Sequence, residues 1–234
     1  MPEPGPGGEV DVAGIARLIG EPARTAMLDA LLTGRALAAG ELARVAGVAA
    51  ATASEHLARM RSAGLVATVA AGRHRYYRLA SPEVAQALEA LALLAPSRPV
   101  TSLRQSRRNA ALLTARTCYD HLAGRVGVGI HRWLLASGAL TQTAAGLDLT
   151  DTGRDRLGEL GIDVAAARMR RRVFARSCLD FTERQEHLAG ALGAAICARL
   201  LSLDWLRHRD PGHRGLRVTD LGRRELAAHF DLDV

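Results

Sequence analysis

The chain has 234 residues, of which 48% are apolar and 24% are charged, a balance that is typical of globular proteins and argues against wholesale disorder. Its formal net charge is +7 and every basic residue is an arginine, so nucleic acid is the first partner to consider. No apolar run approaches the roughly 20 residues that a membrane span needs, and the first residues lack a secretory signal pattern. We therefore expect a cytoplasmic protein with no membrane partner.

The first part of the chain reads as a series of short elements separated by glycine and proline. Residues 1–10 are rich in both and are expected to be a disordered lead. The elements predicted after it are helices over 12–19, 22–34, 38–46 and 50–63, β-strands over 65–69 and 75–79, and a helix over 83–94. Ser81 can cap that last helix and Pro82 suits its first turn. Residues 11–95 are thus predicted to form one domain.

The rest of the chain contains an internal repeat. The matching segments are 116–124 with 176–180 and 187–190, and 149–154 with 218–223. Two copies indicate a pseudo-twofold domain, because a solenoid usually needs three or more. We expect helix–hairpin–helix units over about 103–164 and 168–234 that fold together as a C-terminal domain, 103–234. The predicted fold class is mainly α with small β-hairpins.

Residues 38–63 carry the first functional pattern, two short helices about a glycine-containing turn. A helix-turn-helix needs this arrangement, since one helix braces a second that lies in the DNA major groove. The hairpin that follows has a cationic tip, and such a wing can lie along the DNA backbone or the minor groove. Residues 54–78 contain five arginines and one acidic residue, so the positive charge is concentrated on the predicted recognition helix and wing. A plain solvated surface would show a more even distribution of charge. The candidate DNA-contacting residues are Thr52, Ser54, His56, Arg59, Arg73, His74 and Arg75.

The motifs of this region resemble those of a known family. The run Ser54-Glu55-His56-Leu57, the segment 61–66 (RSAGLV) and the segment 72–79 (GRHRYYRL) are similar to the winged-helix repressors of the ArsR/SmtB family. The resemblance covers about residues 10–95. It implies a homodimer joined through the first and last helices, here about 11–20 and 83–94, that represses from a double-stranded DNA operator and is released by an effector.

The same resemblance places residues by match. It implies that Thr52, Ser54 and His56 lie on the recognition helix, and that the wing carries Arg73, His74 and Arg75. The chain departs from the family in two ways. Residues 38–46 lack the cysteine pair that thiolate-sensing members use, and compact members have no counterpart of the C-terminal half.

Two cysteines and two histidines occupy related positions in the repeat. Cys118 and His121 are three residues apart on a predicted helix, so both can face one way, and Cys178 and His187 are their counterparts. If the copies face each other, two thiolates and two imidazoles could form a soft-metal site, or the thiols could sense oxidants. The alternative is a duplicated packing position, because free cysteine is often buried. We expect a small-molecule pocket or a structural seam at this place in preference to a metal site, with no cofactor required.

Other patterns favour plainer interpretations. A basic run in the second half, Arg168 to Arg176, is either a solvated helix face or an accessory phosphate contact. Gly124, Gly127 and Gly129 favour close helix packing over a phosphate loop. The motifs of serine hydrolases and zinc proteases are missing, so an enzyme is not predicted.

The function that the sequence favours is a DNA-binding transcriptional regulator, a homodimeric repressor released by an effector of unknown identity acting on the C-terminal domain. Two alternatives remain open. The second half could be a thiol- or metal-dependent sensor or an enzyme-like domain with the winged helix as an appendage, or the winged helix could be a protein–protein adaptor.

Overall fold

A computed structural model describes residues 10–72, 74–96, 99–144 and 146–234. The chain divides into two compact units. The first comprises the described residues up to Leu88 together with Asp210–His213, and the second comprises Glu89–Arg209 and Arg214–Val234. In the described part of the chain, no helix is both long enough and apolar enough to cross a membrane.

The first unit is a helix-turn-helix followed by a β wing. Its elements are α1 (Val12–Ile19), α2 (Pro22–Leu31), β1 (Leu37–Ala38), α3 (Ala39–Ala46), α4 (Ala50–Ser62), β2 (Val66–Ala71), β3 (His74–Leu79) and α5 (Pro82–Leu94), the last of which continues into the second unit. The three strands form an antiparallel sheet in the order β1-β3-β2. The predicted helices and both predicted strands are present, and β1 is an additional short strand.

The turn between α3 and α4 is set by glycine and by apolar spacing. Gly47 ends α3 in the left-handed conformation, with φ at +67°, which a residue without a side chain adopts at low cost. On α4 the residues Ala53, Leu57 and Met60 are buried, and their spacing of four and three places them on one face. The helix therefore packs one side on the core and leaves the opposite side in solvent.

The second unit is built from hairpins and helices. Its elements are α6 (Leu103–Thr114), β4 (Arg116–Cys118), β5 (His121–Ala123), α7 (Gly124–Ala136), β6 (Leu140–Thr143), β7 (Gly146–Leu149), α8 (Asp151–Glu159), α9 (Val164–Arg168), β8 (Arg176–Leu179), β9 (Glu186–Ala189), α10 (Gly190–Ser202), β10 (Leu206–His208), β11 (Leu216–Val218) and α11 (Asp220–Phe230). From β4 to α8 and from β8 to α11, the order is hairpin, helix, hairpin, helix. This order differs from the predicted helix–hairpin–helix by one hairpin at the start of each half.

The predicted helix through Cys118 and His121 is wrong. These two residues are directly paired partners at the end of the β4–β5 hairpin, and the turn between them places Tyr119 at a φ of +62°. Residues three apart are neighbours on a helix, but they are also neighbours across a two-residue turn, so the spacing does not distinguish the two. In the second half, Cys178 and His187 are paired across β8 and β9 in the same way.

The two halves of the second unit interlock. Helix α7 packs on β9 of the other half, and α10 packs on β5. The apolar residues of this core are Leu122, Val126, Ile130 and Leu134 from the first half, and Leu188, Leu192, Ile196 and Leu200 from the second. Gly127 and Gly193 permit the close approach of each helix to the strand before it, because a Cβ atom there would lie 2.4 Å from the carbonyl oxygen of Leu122 or Leu188. The close partner of Gly127 and Gly193 is therefore a strand, where a helix was predicted, whereas Gly124 lies against the backbone of α6.

Candidate nucleic-acid interface and a buried cysteine–histidine cluster

The exposed side of α4 carries short polar groups and arginines. Thr52, Ser54 and Arg59 are all exposed there, as predicted for a reading face. The Ser54 hydroxyl donates a hydrogen bond of 2.9 Å to the carbonyl oxygen of Ala50, and Arg59 forms an exposed ion pair of 2.6 Å with Glu55. Because an exposed pair of this kind contributes little to stability, the Arg59 guanidinium is available to a phosphate at small cost.

His56 does not lie on that face. Its Nδ1 atom is 3.3 Å from a guanidinium nitrogen of Arg24 on α2, its Nε2 atom is 3.7 Å from a carboxylate oxygen of Glu21, and its side chain is only 15% exposed. Glu21 in turn accepts hydrogen bonds from the backbone N–H groups of Arg24 and Ala23, which lower the pKa of its carboxyl group. The structure therefore gives His56 the role of a tie between α4 and α2.

The wing is the β2–β3 hairpin, and it is partly described. Arg75 is exposed on β3 opposite Ala70. Arg73 lies outside the described residues, and of His74 only the backbone is described, paired with Ala71. Arg61 on α4 and Arg78 on β3 are also exposed and were not among the predicted contacts, although the local excess of arginine included both.

The basic run in the second unit is not the predicted helix face. Helix α9 ends at Arg168, whose guanidinium pairs with Asp148 and lies 3.9 Å from the ring centre of Phe174. Arg172 is half-buried in an ion pair with Asp120. Side chains that are engaged in this way hold the second unit together, which leaves Arg170 and Arg171 as the exposed cations at the middle of the run.

A compact cluster lies where β5 and β9 meet. One ligand atom from each of Cys118, His121, Cys178 and His187 lies within 4.8 Å of the others. The two sulfur atoms are 3.9 Å apart, and the imidazole rings are stacked with centroids 5.1 Å apart. Cys118 and both histidines are buried, and Cys178 is half-buried. The structure thus brings together all four residues that the repeat predicted, although through hairpins and not through helices.

Each histidine of the cluster has an aspartate beside it. Asp120 Oδ1 is 3.3 Å from Nδ1 of His121, and Asp180 Oδ2 is 3.8 Å from Nδ1 of His187. Both aspartates were missed from the sequence. The signal that could have found them is their equal place in the repeat, two residues after each cysteine.

Asp180 is itself held by a buried arginine. Its carboxylate accepts a hydrogen bond of 2.8 Å from Arg116 and one of 2.6 Å from the backbone N–H of Gly124. Arg116 is fully buried and also donates to the Leu112 carbonyl and the Thr182 hydroxyl. Burial alone would raise the pKa of the Asp180 carboxyl group, but the Arg116 charge and these hydrogen bonds hold it well below its usual range.

The environment of the cluster favours one thiolate. A hydrogen bond from the Cys118 thiol is the largest cause that lowers the pKa of Cys178, and the two imidazoles lower it further against the effect of burial. The same pairing, together with burial, raises the pKa of Cys118. Burial lowers the pKa of His121, but Asp120 and Cys178 outweigh it and the net shift is upward. A thiolate flanked by imidazoles can bind a thiophilic cation or react with an oxidant.

Comparison with known proteins relates the whole chain to regulators of transcription. Residues 19–69 match a helix-turn-helix domain family. The chain is 41% identical over 224 residues to a protein of Bacillus subtilis strain 168 described as the uncharacterized HTH-type transcriptional regulator YdfF, with 96% of this chain and 99% of that protein covered.

Two solved structures are similar to part of the chain. One is the solution structure of the homodimeric winged helix-turn-helix DNA-binding domain of Mb0332 from Mycobacterium bovis, a possible ArsR-family regulator; it is 28% identical, covers 37% of this chain and 87% of that chain, and has a TM-score of 0.33. The other is the cadmium sensor CmtR from Mycobacterium tuberculosis, which is 31% identical, covers 40% of this chain and 100% of that chain, and has a TM-score of 0.32.

Proposed function

The chain belongs to the helix-turn-helix transcriptional regulators, and we propose that it is a homodimeric repressor that leaves its DNA operator when an effector acts on the second unit. This membership confirms the kind of regulator that the ArsR/SmtB-type resemblance implied. The observation that carries the DNA-binding proposal is the exposed side of α4, polar and arginine-bearing, followed directly by an arginine-bearing wing.

The DNA contacts divide between the helix and the wing. Thr52 and Ser54 are short donors that can approach base edges or phosphates in a major groove about 12 Å wide. Arg75, on the wing, suits a phosphate or the minor groove, and Arg59 and Arg61 suit phosphates beside the helix. Arg73 and His74 remain proposed wing contacts by their position in the hairpin. His56 supports the orientation of α4 through its contact with Arg24.

Two arguments support a second copy of the chain. Reading two operator half-sites needs two recognition helices about one DNA turn, roughly 34 Å, apart. None of the residues of α1, all of which are described, is buried, and Val12 is 68% exposed. On α5, Leu91 and Leu94 are exposed as well. A homodimer that covers these two helices removes apolar side chains from water.

The second unit has the features of an effector domain. We propose that its two halves arose as a duplication, because hairpin, helix, hairpin and helix follow in the same order in each. Within this unit, a hydrogen bond and an ion pair connect the residue next to Cys118 to α5. The backbone N–H of the adjacent Thr117 donates to the carbonyl oxygen of Arg214 at 3.0 Å, and the Arg214 side chain forms a buried ion pair with Glu89 of α5. A change at the cluster can thereby reach the helix that enters the first unit.

The test is binding of the full chain to an operator selected from random-sequence DNA, measured over a range of salt concentrations. Arg75→Ala should weaken binding to all sequences and reduce the salt dependence by about one counterion, because one phosphate contact is lost. Ser54→Ala should lower operator affinity by about 1–3 kcal/mol if Ser54 contacts a base.

The matched control is Arg132→Ala, which removes an exposed arginine from α7 and should leave operator affinity within twofold. Unchanged affinity in both Arg75→Ala and Ser54→Ala, or an equal loss in the control, would contradict the proposed interface. Binding without salt dependence would favour the protein–protein adaptor instead. In cells, deletion of the gene should raise transcription from the selected operator, and a fall would identify an activator.

A further inference from the structure

We propose that Cys118, His121, Cys178 and His187 form a closed, four-coordinate site for one divalent, thiophilic d¹⁰ cation of the zinc and cadmium class. Each half of the second unit contributes one cysteine and one histidine, which are paired near the turn of its first hairpin. The proposal concerns cation binding alone and does not depend on the repressor role.

The distances fit tetrahedral coordination with little adjustment. With Zn–S bonds of about 2.3 Å, the edge of a tetrahedron between two sulfur ligands is about 3.8 Å. The observed distance between the Cys118 and Cys178 sulfur atoms is 3.9 Å, and all four ligand atoms lie within 4.8 Å of one another. Four protein ligands leave no open position, which is the arrangement of structural and not of catalytic zinc sites.

The imidazoles are prepared to coordinate. Nε2 of His121 and both ring nitrogens of His187 are buried without a hydrogen-bond partner in the described parts of the chain. A buried polar atom without a partner destabilises the fold, and coordination of a cation would remove that cost at one nitrogen of each ring. Asp120 lies within hydrogen-bond distance of Nδ1 of His121, which leaves Nε2 of that ring as the ligand and matches the carboxylate–histidine–metal arrangement of known zinc sites. Asp180 lies 3.8 Å from Nδ1 of His187, so either nitrogen of that ring is open to a cation.

Charge selects a divalent ion. Two thiolates and a divalent cation sum to zero, whereas a monovalent ion would leave a negative charge in a buried place, which is costly. The neighbouring carboxylates are already neutralised, since Asp120 pairs with Arg172 and Asp180 with Arg116. The sulfur and nitrogen ligands disfavour magnesium and calcium, which prefer oxygen.

Packing alone accounts poorly for the cluster. Apolar side chains at the four cluster positions would fill the space where β5 and β9 meet without burying unpaired ring nitrogens, and the surrounding core is apolar. A disulfide between Cys118 and Cys178 would require the sulfur atoms to approach to about 2.05 Å. It is the competing outcome in the experiment that follows.

The experiment titrates the purified full chain, freed of metal by a chelator and kept reduced, with zinc, cadmium and cobalt(II). One equivalent of each should bind per chain. Cadmium should give an ultraviolet sulfur-to-metal charge-transfer band, and cobalt should give the visible bands of a tetrahedral thiolate complex. Cys178→Ser should weaken zinc binding at least 100-fold, since loss of a mere second-shell partner typically costs 10–100-fold. The matched control, Cys197→Ala, changes a buried cysteine of α10 outside the cluster and should keep both stoichiometry and spectrum.

Asp120→Asn is a second variant, which keeps the proposal testable if Cys178→Ser does not fold. Asp120→Asn keeps all four ligands and removes the charge that lies beside His121 and pairs with Arg172, so the variant should bind zinc 10–100-fold more weakly. A packing role alone would not move that affinity. The proposal is overturned by the absence of stoichiometric binding to the reduced wild type, or by the same spectrum and affinity in a Cys118→Ser, Cys178→Ser variant. Loss of two thiols on mild oxidation, without cation uptake under reducing conditions, would assign the cluster to disulfide chemistry instead.

Discussion

Asp180 is a buried residue that accepts several hydrogen bonds in the second unit. Its carboxylate accepts from Arg116, from the backbone of Gly124 and from the hydroxyl and backbone of Thr182. These contacts join β4 and the start of α7 to the loop after β8, which belongs to the other half of the unit. The repeat drew attention to the cysteines and histidines, but a single aspartate among 24 acidic residues has no local pattern that marks it as buried.

Asp180→Asn should lower the free energy of unfolding by about 3–5 kcal/mol, because it leaves the buried Arg116 without its counter-charge. The measurement is urea unfolding of the metal-free protein followed by circular dichroism. Asp151→Asn is the control, since Asp151 forms an exposed pair with Arg154 and its loss should cost no more than about 1 kcal/mol. Equal effects of the two substitutions would show that the Arg116–Asp180 pair does not stabilise the fold.

At the scale of elements, the two units differ in how well the sequence predicts them. Glycine, proline and apolar spacing mark nearly every boundary of the winged helix, and Gly47 and Gly64 both adopt positive φ where helices were predicted to stop. In the second unit, short strands of three or four residues lie next to long helices, and their patterns are too short to separate from a helix. The Cys118–His121 spacing was ambiguous for this reason.

Gly127 on α7 and Gly193 on α10 allow a test of the close packing of each helix on the strand that precedes it. Gly127→Ala and Gly193→Ala should each destabilise the second unit by about 1–3 kcal/mol, because the new Cβ would meet a backbone carbonyl at 2.4 Å. Gly158→Ala on α8 has open space and should instead stabilise by up to about 1 kcal/mol through helix propensity. Thermal unfolding of the three variants measures the difference. A stabilising effect at Gly127 or Gly193 would be incompatible with the close helix–strand approach.

At the scale of the whole molecule, the exposed apolar surface of α1 is easier to predict from the sequence than the interior of the second unit. The apolar face of α1 is readable from its spacing and is exposed in the structure. The interlocking of α7 with β9 and of α10 with β5 is a long-range pairing, and one sequence contains no local signal for it. The repeat identifies Cys118, His121, Cys178 and His187 as equivalent residues without knowledge of the fold, and the structure brings the four together, whereas what they bind stays a prediction.

The protein should sediment as a dimer of 24.9 kDa chains at micromolar concentration. Val12→Asp with Ile15→Asp should shift it to a monomer, because a charged α1 cannot be buried against a second copy. Val173→Asp is a suitable control, since it alters an exposed apolar residue of the second unit. A wild type that remains a monomer with and without operator DNA would exclude the proposed dimer.

The sulfur atoms that lie 3.9 Å apart belong to residues 60 positions apart in the chain. A cross-link that closes a loop of this length lowers the conformational entropy of the unfolded chain. An occupied site would therefore raise the free energy of unfolding of the second unit by roughly 4 kcal/mol. The order of synthesis adds a consequence in time. His187 is the last of the four ligands to leave the ribosome, after the winged helix and the whole first half of the second unit. A nascent chain therefore acquires the complete ligand set only when β9 has been made and has met β5, and uptake of a cation would mark the moment at which the two halves join.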